Sequence, residues 1–223
     1  MTPKLLIFLA IGTILMGVPI AITAKKYEIR LWKACFFTIL LTVFGTLGTF
    51  LMYYIENGVF GGLSFYGAVF LIPIAFAAVS LILRIPYGKI MDLCAIGECI
   101  MLALMKVHCM IGGCCRGRVL FTSAEGKAIL FPSREAELIV ALMLFAILFS
   151  WALKKKNFGQ LHAWYFLLYG ITRFILNIFR EAWVTKEMFL PIGNIWSIVA
   201  IIIGCVWLLL FQKSQQKKNS LGN

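Results

Sequence analysis

Negative charge is what this chain has least of. Only 13% of its 223 residues are charged, and nine acidic side chains stand against 21 basic ones. Hydrophobic residues fill 62% of the sequence and mean hydropathy is +0.95. No polar stretch is long enough for a separate soluble domain, which leaves a single integral membrane domain over residues 1–223. There is no internal repeat and no heptad pattern, so repeat arrays and coiled coils are excluded. A separate C-x-x-C pair, the usual mark of a structural zinc site, is also missing. The polar tail from about residue 213 onward is expected to be disordered. In a soluble protein a net charge of +12 would suggest nucleic acid. Here the basic residues sit in short loops between apolar runs, where membrane topology and anionic lipid head groups account for them. No nucleic-acid partner is expected.

The apolar runs predict seven transmembrane helices, near residues 5–23, 34–55, 60–83, 90–111, 136–153, 161–179 and 190–211. The fourth is the weakest, because it carries Asp92, Glu98 and Lys106. Such a segment must face the protein interior or line a wet cavity. The first run follows Lys4 as a secretory signal would, yet it is longer than a signal core and is followed by Lys25, Lys26, Arg30 and Lys33. A retained span with an external N-terminus is therefore expected. That orientation puts Arg84, Lys89, Lys154, Lys155, Lys156, Lys213, Lys217 and Lys218 inside with the first basic group. Fewer basic residues fall outside: Lys4, Arg116, Arg118, Lys127, Arg134, Arg180 and Lys186. The predicted architecture is an all-α integral membrane protein with seven spans, N-terminus outside and C-terminus cytoplasmic.

Four local patterns carry chemistry. GGLSFYG, residues 61–67, places Gly61, Gly62 and Gly67 where a helix or a lipid head group can approach the backbone closely. KVHCMIGGCCRGR, residues 106–118, sets Lys106 and His108 before Gly112, Gly113 and Gly117, so that amides and cations could cradle an anion such as a lipid phosphate. Arg116 and Arg118 could equally rest among head groups at the interface. His108, Cys109, Cys114 and Cys115 are zinc-competent, but adjacent cysteines are awkward for one tetrahedral site, and no metal or other cofactor is expected. A disulfide or redox role stays open, since an outer face permits oxidation. By contrast, Cys35, Cys94 and Cys205 lie within apolar runs, where a thiol behaves as a small hydrophobe.

FPSREAE, residues 131–137, looks like a helix start, with Glu135 suited to the first turn and Glu137 carried deeper, where an ionised carboxylate needs a partner. In YGITRFILNIFRE, residues 169–181, Tyr169, Arg173 and Asn177 recur every four residues along one helix face. Arg173 must meet a carboxylate or a phosphate at that depth. Glu137, Asp92 and Glu98 are the candidate structural partners.

Taken in order from Gly61 to Gly204, these patterns resemble the bacterial prolipoprotein diacylglyceryl transferase family, in a divergent branch whose signature reads GCC. The resemblance implies seven spans, an external N-terminus and a site in the bacterial cytoplasmic membrane. It implies transfer of a diacylglyceryl group from phosphatidylglycerol, an anionic phospholipid, to the cysteine thiol of a preprotein. Glycerol phosphate is released. On that resemblance Arg173 matches the essential arginine of the late helix, Tyr169 its tyrosine, Gly117 the signature glycine, and Glu137 the carboxylate after Pro132 and Ser133. Tyr66 stands in the family's histidine position, Lys106 in that of the signature arginine, Cys109 of asparagine, Cys114 of glutamate, and Asn177 of the late glutamate. The reading expects catalytic roles for Arg173, Tyr169, His108, Tyr66 and Glu137. It expects substrate binding by Lys106, Gly61, Gly62, Gly112, Gly113, Gly117 and Arg118. Altered thiol chemistry at Cys109, Cys114 or Cys115, or a non-catalytic phospholipid-binding or transport role, are the alternatives.

Overall fold

The computed structural model describes residues 3–123, 126–154, 159–180 and 192–221. Among them are seven helices: α1 (Pro3–Lys26), α2 (Leu31–Asn57), α3 (Tyr66–Leu83), α4 (Tyr87–Gly112), α5 (Ser133–Lys154), α6 (Leu161–Ile178) and α7 (Ile192–Leu221). Five of these, α1, α2, α3, α5 and α7, are long and apolar enough to cross a membrane. α4, with buried Asp92, Glu98 and Lys106, and α6, with buried His162 and Asn177, fall outside that set. Large apolar side chains such as Ile14, Val18, Ile39, Ile74, Leu81 and Leu209 point outward, as they do on a surface solvated by lipid.

Two boundaries and one element differ from expectation. Helix α3 starts at Tyr66 rather than Phe60, because Gly58 (φ 72°) and Gly61 (φ 148°) hold the intervening backbone out of helical geometry. The chain is not purely helical: β1 (Val119–Thr122) and β2 (Ala128–Leu130) form a short antiparallel hairpin with an irregular register between Val119 and Phe121. Aromatic and branched residues around a turn glycine, Gly126 at φ 78°, suit that ribbon. The backbone of α7 continues helical to Leu221, through the polar segment expected to be disordered, whose Gln and Lys residues are good helix formers. Lys155, Lys156, Glu181, Lys186 and the expected start of the last span near 190 lie outside the described residues.

Helix α4 is the centre of the bundle. Every residue from Ile90 to Cys99 is buried, and α4 packs against α1, α2, α3, α5 and α6. One end of the bundle is closed by cations on helix C-termini: Lys26 Nζ donates to the Leu153 carbonyl, and Lys33 Nζ to that of Leu83 at 2.5 Å. Ammonium groups there meet carbonyls that have no partner within the helix. At the same end Asp92 accepts the backbone N–H groups of Gly159 and Leu161, each at 2.9 Å, and the Tyr27 hydroxyl at 3.3 Å. A carboxylate from α4 thus caps the start of α6, favourable for an anion at a helix N-terminus.

Helices α2 and α3 meet backbone to backbone. A Cβ on Gly67 would overlap the Gly48 carbonyl, so glycine is the residue that permits this crossing. Gly67→Val should therefore destabilise the protein by about 1–3 kcal/mol, read as a loss of thermal stability in detergent. Gly17→Ala on α1, where a Cβ meets nothing within 4 Å, should leave stability unchanged or raise it. Equal effects of the two would refute this account of the crossing.

Candidate active site

Three ionised side chains from three helices converge near the opposite end of the bundle. Glu137 from the first turns of α5 pairs through one oxygen, Oε2, with both Lys106 Nζ of α4 and Arg173 Nη1 of α6. Glu137 and Lys106 are buried and Arg173 nearly so, with side-chain exposures of 4%, 8% and 11%. Arg173 therefore takes Glu137 as its partner. Asp92 is committed to the start of α6. Glu98 lies 3.8 Å from His162 Nδ1.

The local sequence explains the convergence. Ser133 opens α5 directly after Pro132, which sets Glu137 one turn inside the helix. Arg173 lies four residues after Tyr169 and four before Asn177, and the latter two are buried on the same face of α6. Around the ions an aromatic floor forms. Tyr169 stacks on Tyr165 at 5.6 Å and meets Tyr66 and Phe65, each at 5.7 Å. The Tyr66 hydroxyl shares a 2.5 Å hydrogen bond with Ser197 Oγ of α7 and lies within hydrogen-bonding reach of the Arg173 guanidinium.

Two cations share one carboxylate, so this buried site carries excess positive charge. Glu137 Oε1, Arg173 Nε and Asn177 Nδ2 are buried without a hydrogen-bond partner among the described residues. Buried charge without a full complement of partners is unfavourable, and an anion placed here would relieve it.

The segments that follow α4 and α6 are knitted together beside these ions. Gly117 pairs with Arg180 in an isolated antiparallel bridge, and Arg118 N–H donates to the Phe179 carbonyl at 2.9 Å. A Cβ on Gly117 would run into the Phe131 carbonyl, so this signature glycine serves close backbone packing. The Arg118 guanidinium lies over the Phe179 ring at 5.0 Å, a cation–π contact.

Cys109, Cys114 and Cys115 are grouped here, with all three sulfurs within 4.8 Å of one another. The hydrogen bond between Cys115 and Cys109 holds the Cys115 pKa down at about 5, against burial, with Lys106 and Arg180 helping.

Other expected residues are placed elsewhere. His108 is turned away from the ions and meets Phe8 of α1 edge-on at 5.1 Å. Two residues from Lys106 is about 200° around a helix, so the two cannot share a face. Gly112 and Gly113 are exposed at the end of α4, Gly113 as a left-handed cap at φ 70°. Gly61 is exposed, whereas Gly62 packs under the Tyr53 ring. Sequence reasoning missed Ser197 and Asn194 of α7, both fully buried. Their signal was present as polar residues inside an apolar run.

With this geometry in view, comparison with known proteins is informative. The sequence profile of the family described as prolipoprotein diacylglyceryl transferase matches residues 5–210. The chain belongs to this family. A curated relative, the phosphatidylglycerol--prolipoprotein diacylglyceryl transferase of Buchnera aphidicola subsp. Schizaphis graminum (strain Sg), is 36% identical over 87 residues, 37% of this chain and 31% of the relative. That match spans about a third of the relative's own length.

Glu137→Gln should strand two buried cations and destabilise the protein by about 3–5 kcal/mol. Adding Lys106→Met to that variant should restore a substantial part, giving a strong coupling energy in a double-mutant cycle measured by denaturation in detergent. Additive effects would show that the shared carboxylate does not hold the three helices together.

Proposed function

We propose that this protein transfers a diacylglyceryl group from phosphatidylglycerol to the cysteine thiol of a prolipoprotein, at the outer face of the bacterial cytoplasmic membrane. All seven helices cross that membrane in this reading, with the N-terminus outside and the C-terminus inside. The observation that carries it is the buried excess of positive charge, in which Arg173 and Lys106 share a single Glu137 oxygen. Membership of the family and the name of the Buchnera relative support the reaction and its donor.

The donor's phosphate would enter beside Arg173 and Lys106, using guanidinium and ammonium donors that one carboxylate leaves in excess. As the glycerol carbon–oxygen bond breaks, negative charge builds on the departing phosphate. Cations already fixed in a site of low polarity stabilise that charge with little reorganisation. Glu137 orients both cations, so it is a positioning residue. Tyr66 and Tyr169 line the floor beneath them, with Tyr66 directing its hydroxyl to the guanidinium. The open backbone at Gly61, Gly112 and Gly113 gives the head group room, while Gly117 and Arg118 fix the rim. His108, packed on Phe8, is not needed for this step.

Purified protein supplied with phosphatidylglycerol and a peptide bearing a lipobox cysteine should form a thioether. Arg173→Ala should lower that rate by about 100-fold or more, and Arg173→Lys should recover only part, since an ammonium cannot grip phosphate with two parallel bonds. In a strain depleted of its own transferase, wild-type protein should restore lipoprotein maturation, and Arg173→Ala should accumulate unlipidated substrate. Wild-type turnover by a folded Arg173→Ala protein would defeat the proposal.

A further inference from the structure

The transfer reaction needs a deprotonated acceptor thiol, and Glu137, although its Oε1 has no hydrogen-bond partner among the described residues, is a weak base for that proton because two cations favour its charged form. The Tyr66 hydroxyl is engaged with Ser197, and His108 packs on Phe8. The three cysteines offer a different route. Cys109 ends the face of α4 that also carries Lys106, one helical turn earlier. Cys115 adopts a left-handed conformation, φ 58°, which a side-chain-bearing residue occupies at an energetic penalty. The consequence of that turn is convergence: Cys115 Sγ lies 3.9 Å from Cys109 Sγ, and all three sulfurs fall within 4.8 Å. Three thiolates at about 2.3 Å from a tetrahedral ion stand roughly 3.8 Å apart. Adjacent cysteines, an obstacle in regular backbone, are brought to one point by the strained residue.

From this geometry we infer that Cys109, Cys114 and Cys115 hold a Zn²⁺ ion whose open fourth position binds the acceptor cysteine as its thiolate. The inference rests on the transfer reading for the identity of the fourth ligand. Three protein ligands with one open position is the pattern of a catalytic zinc site, and a thiol on such an ion is deprotonated outright. Cys114 is exposed while Cys109 and Cys115 are half-buried, so the open side is reachable from outside. Cys109 lies one helical turn beyond Lys106 on the same face of α4, which sets the bound thiolate on the side of the bundle that carries the phosphate site.

The step balances. The acceptor thiol releases its proton to solvent as its sulfur enters the fourth position. The bound sulfur's electron pair then forms a bond to the glycerol carbon of the donor. The carbon–oxygen bond at that carbon breaks, its electron pair leaves on the phosphate, and Arg173 and Lys106 receive the charge. The product sulfur is a neutral thioether, no longer the thiolate that zinc binds, and departs.

Co²⁺ is the test probe, titrated into the full-length protein in detergent after reduction and chelation. Thiolate-to-cobalt charge-transfer bands and tetrahedral d–d bands should saturate at about one ion per chain. They should be absent from the C109S/C114S/C115S variant. Addition of a short peptide with one cysteine should shift the d–d bands, and the same peptide with serine should not. Absence of thiolate bands in the wild type, or equal bands in the triple-serine variant, would overturn the site. Bands unmoved by the cysteine peptide would overturn its role in binding the acceptor. Chelated, metal-free protein that transfers lipid at the full rate would sink the zinc inference and leave the transfer reading standing. Cobalt and peptide responses with no transfer from phosphatidylglycerol would do the reverse.

Discussion

A single carboxylate oxygen holding two buried cations is the interaction on which one end of this helix bundle depends. Glu137 Oε2 ties Lys106 of α4 and Arg173 of α6 to α5, so three helices are registered at one point. Burial makes the arrangement strong in one sense and incomplete in another. Removing Glu137 strands two cations, yet even the intact trio leaves positive charge in excess. Stability and the excess of positive charge thus come from the same atoms. In the proposed transfer reaction that coupling suits an anionic donor, because a fully neutralised trio would have nothing left for its phosphate.

The two ends of the bundle are built differently. At the basic end, ammonium groups on helix C-termini and Asp92 at the start of α6 satisfy the backbone. This end is closed and structural. At the other end the chain leaves the helices for a hairpin, a glycine bridge and a left-handed cysteine. Irregular backbone of this kind presents groups that a helix would hide, and it gathers thiols, cations and glycines around the buried ions. The functional asymmetry of the molecule follows from where regular structure stops.

Much of this was legible in the chain. Helix positions followed from apolar runs, and Arg173 announced itself because a lone guanidinium inside an apolar run must meet an anion. Glu137 was identified as a candidate partner by the same reasoning, alongside Asp92 and Glu98. What one-dimensional spacing could not choose was which of the three carboxylates meets Arg173, since that depends on how α4, α5 and α6 are rotated about their axes. Residue type made His108 attractive, but its position is set by a 200° turn from Lys106. The hairpin was hidden because its strands are only four and three residues long. Convergence of the thiols was hidden for another reason: it needs a backbone conformation at Cys115 that cysteine seldom adopts.

Helix α6 is gripped twice by carboxylates that belong to other helices, Asp92 at Leu161 and Glu137 at Arg173. The intervening stretch is then a strut of fixed span, about 18 Å long at the rise of an α-helix. The guanidinium's height is measured from the protein's own basic rim and not from the lipid around it. When the surrounding bilayer thins or thickens, it is the annular lipid that must deform, while the depth of the guanidinium stays where the two grips have set it.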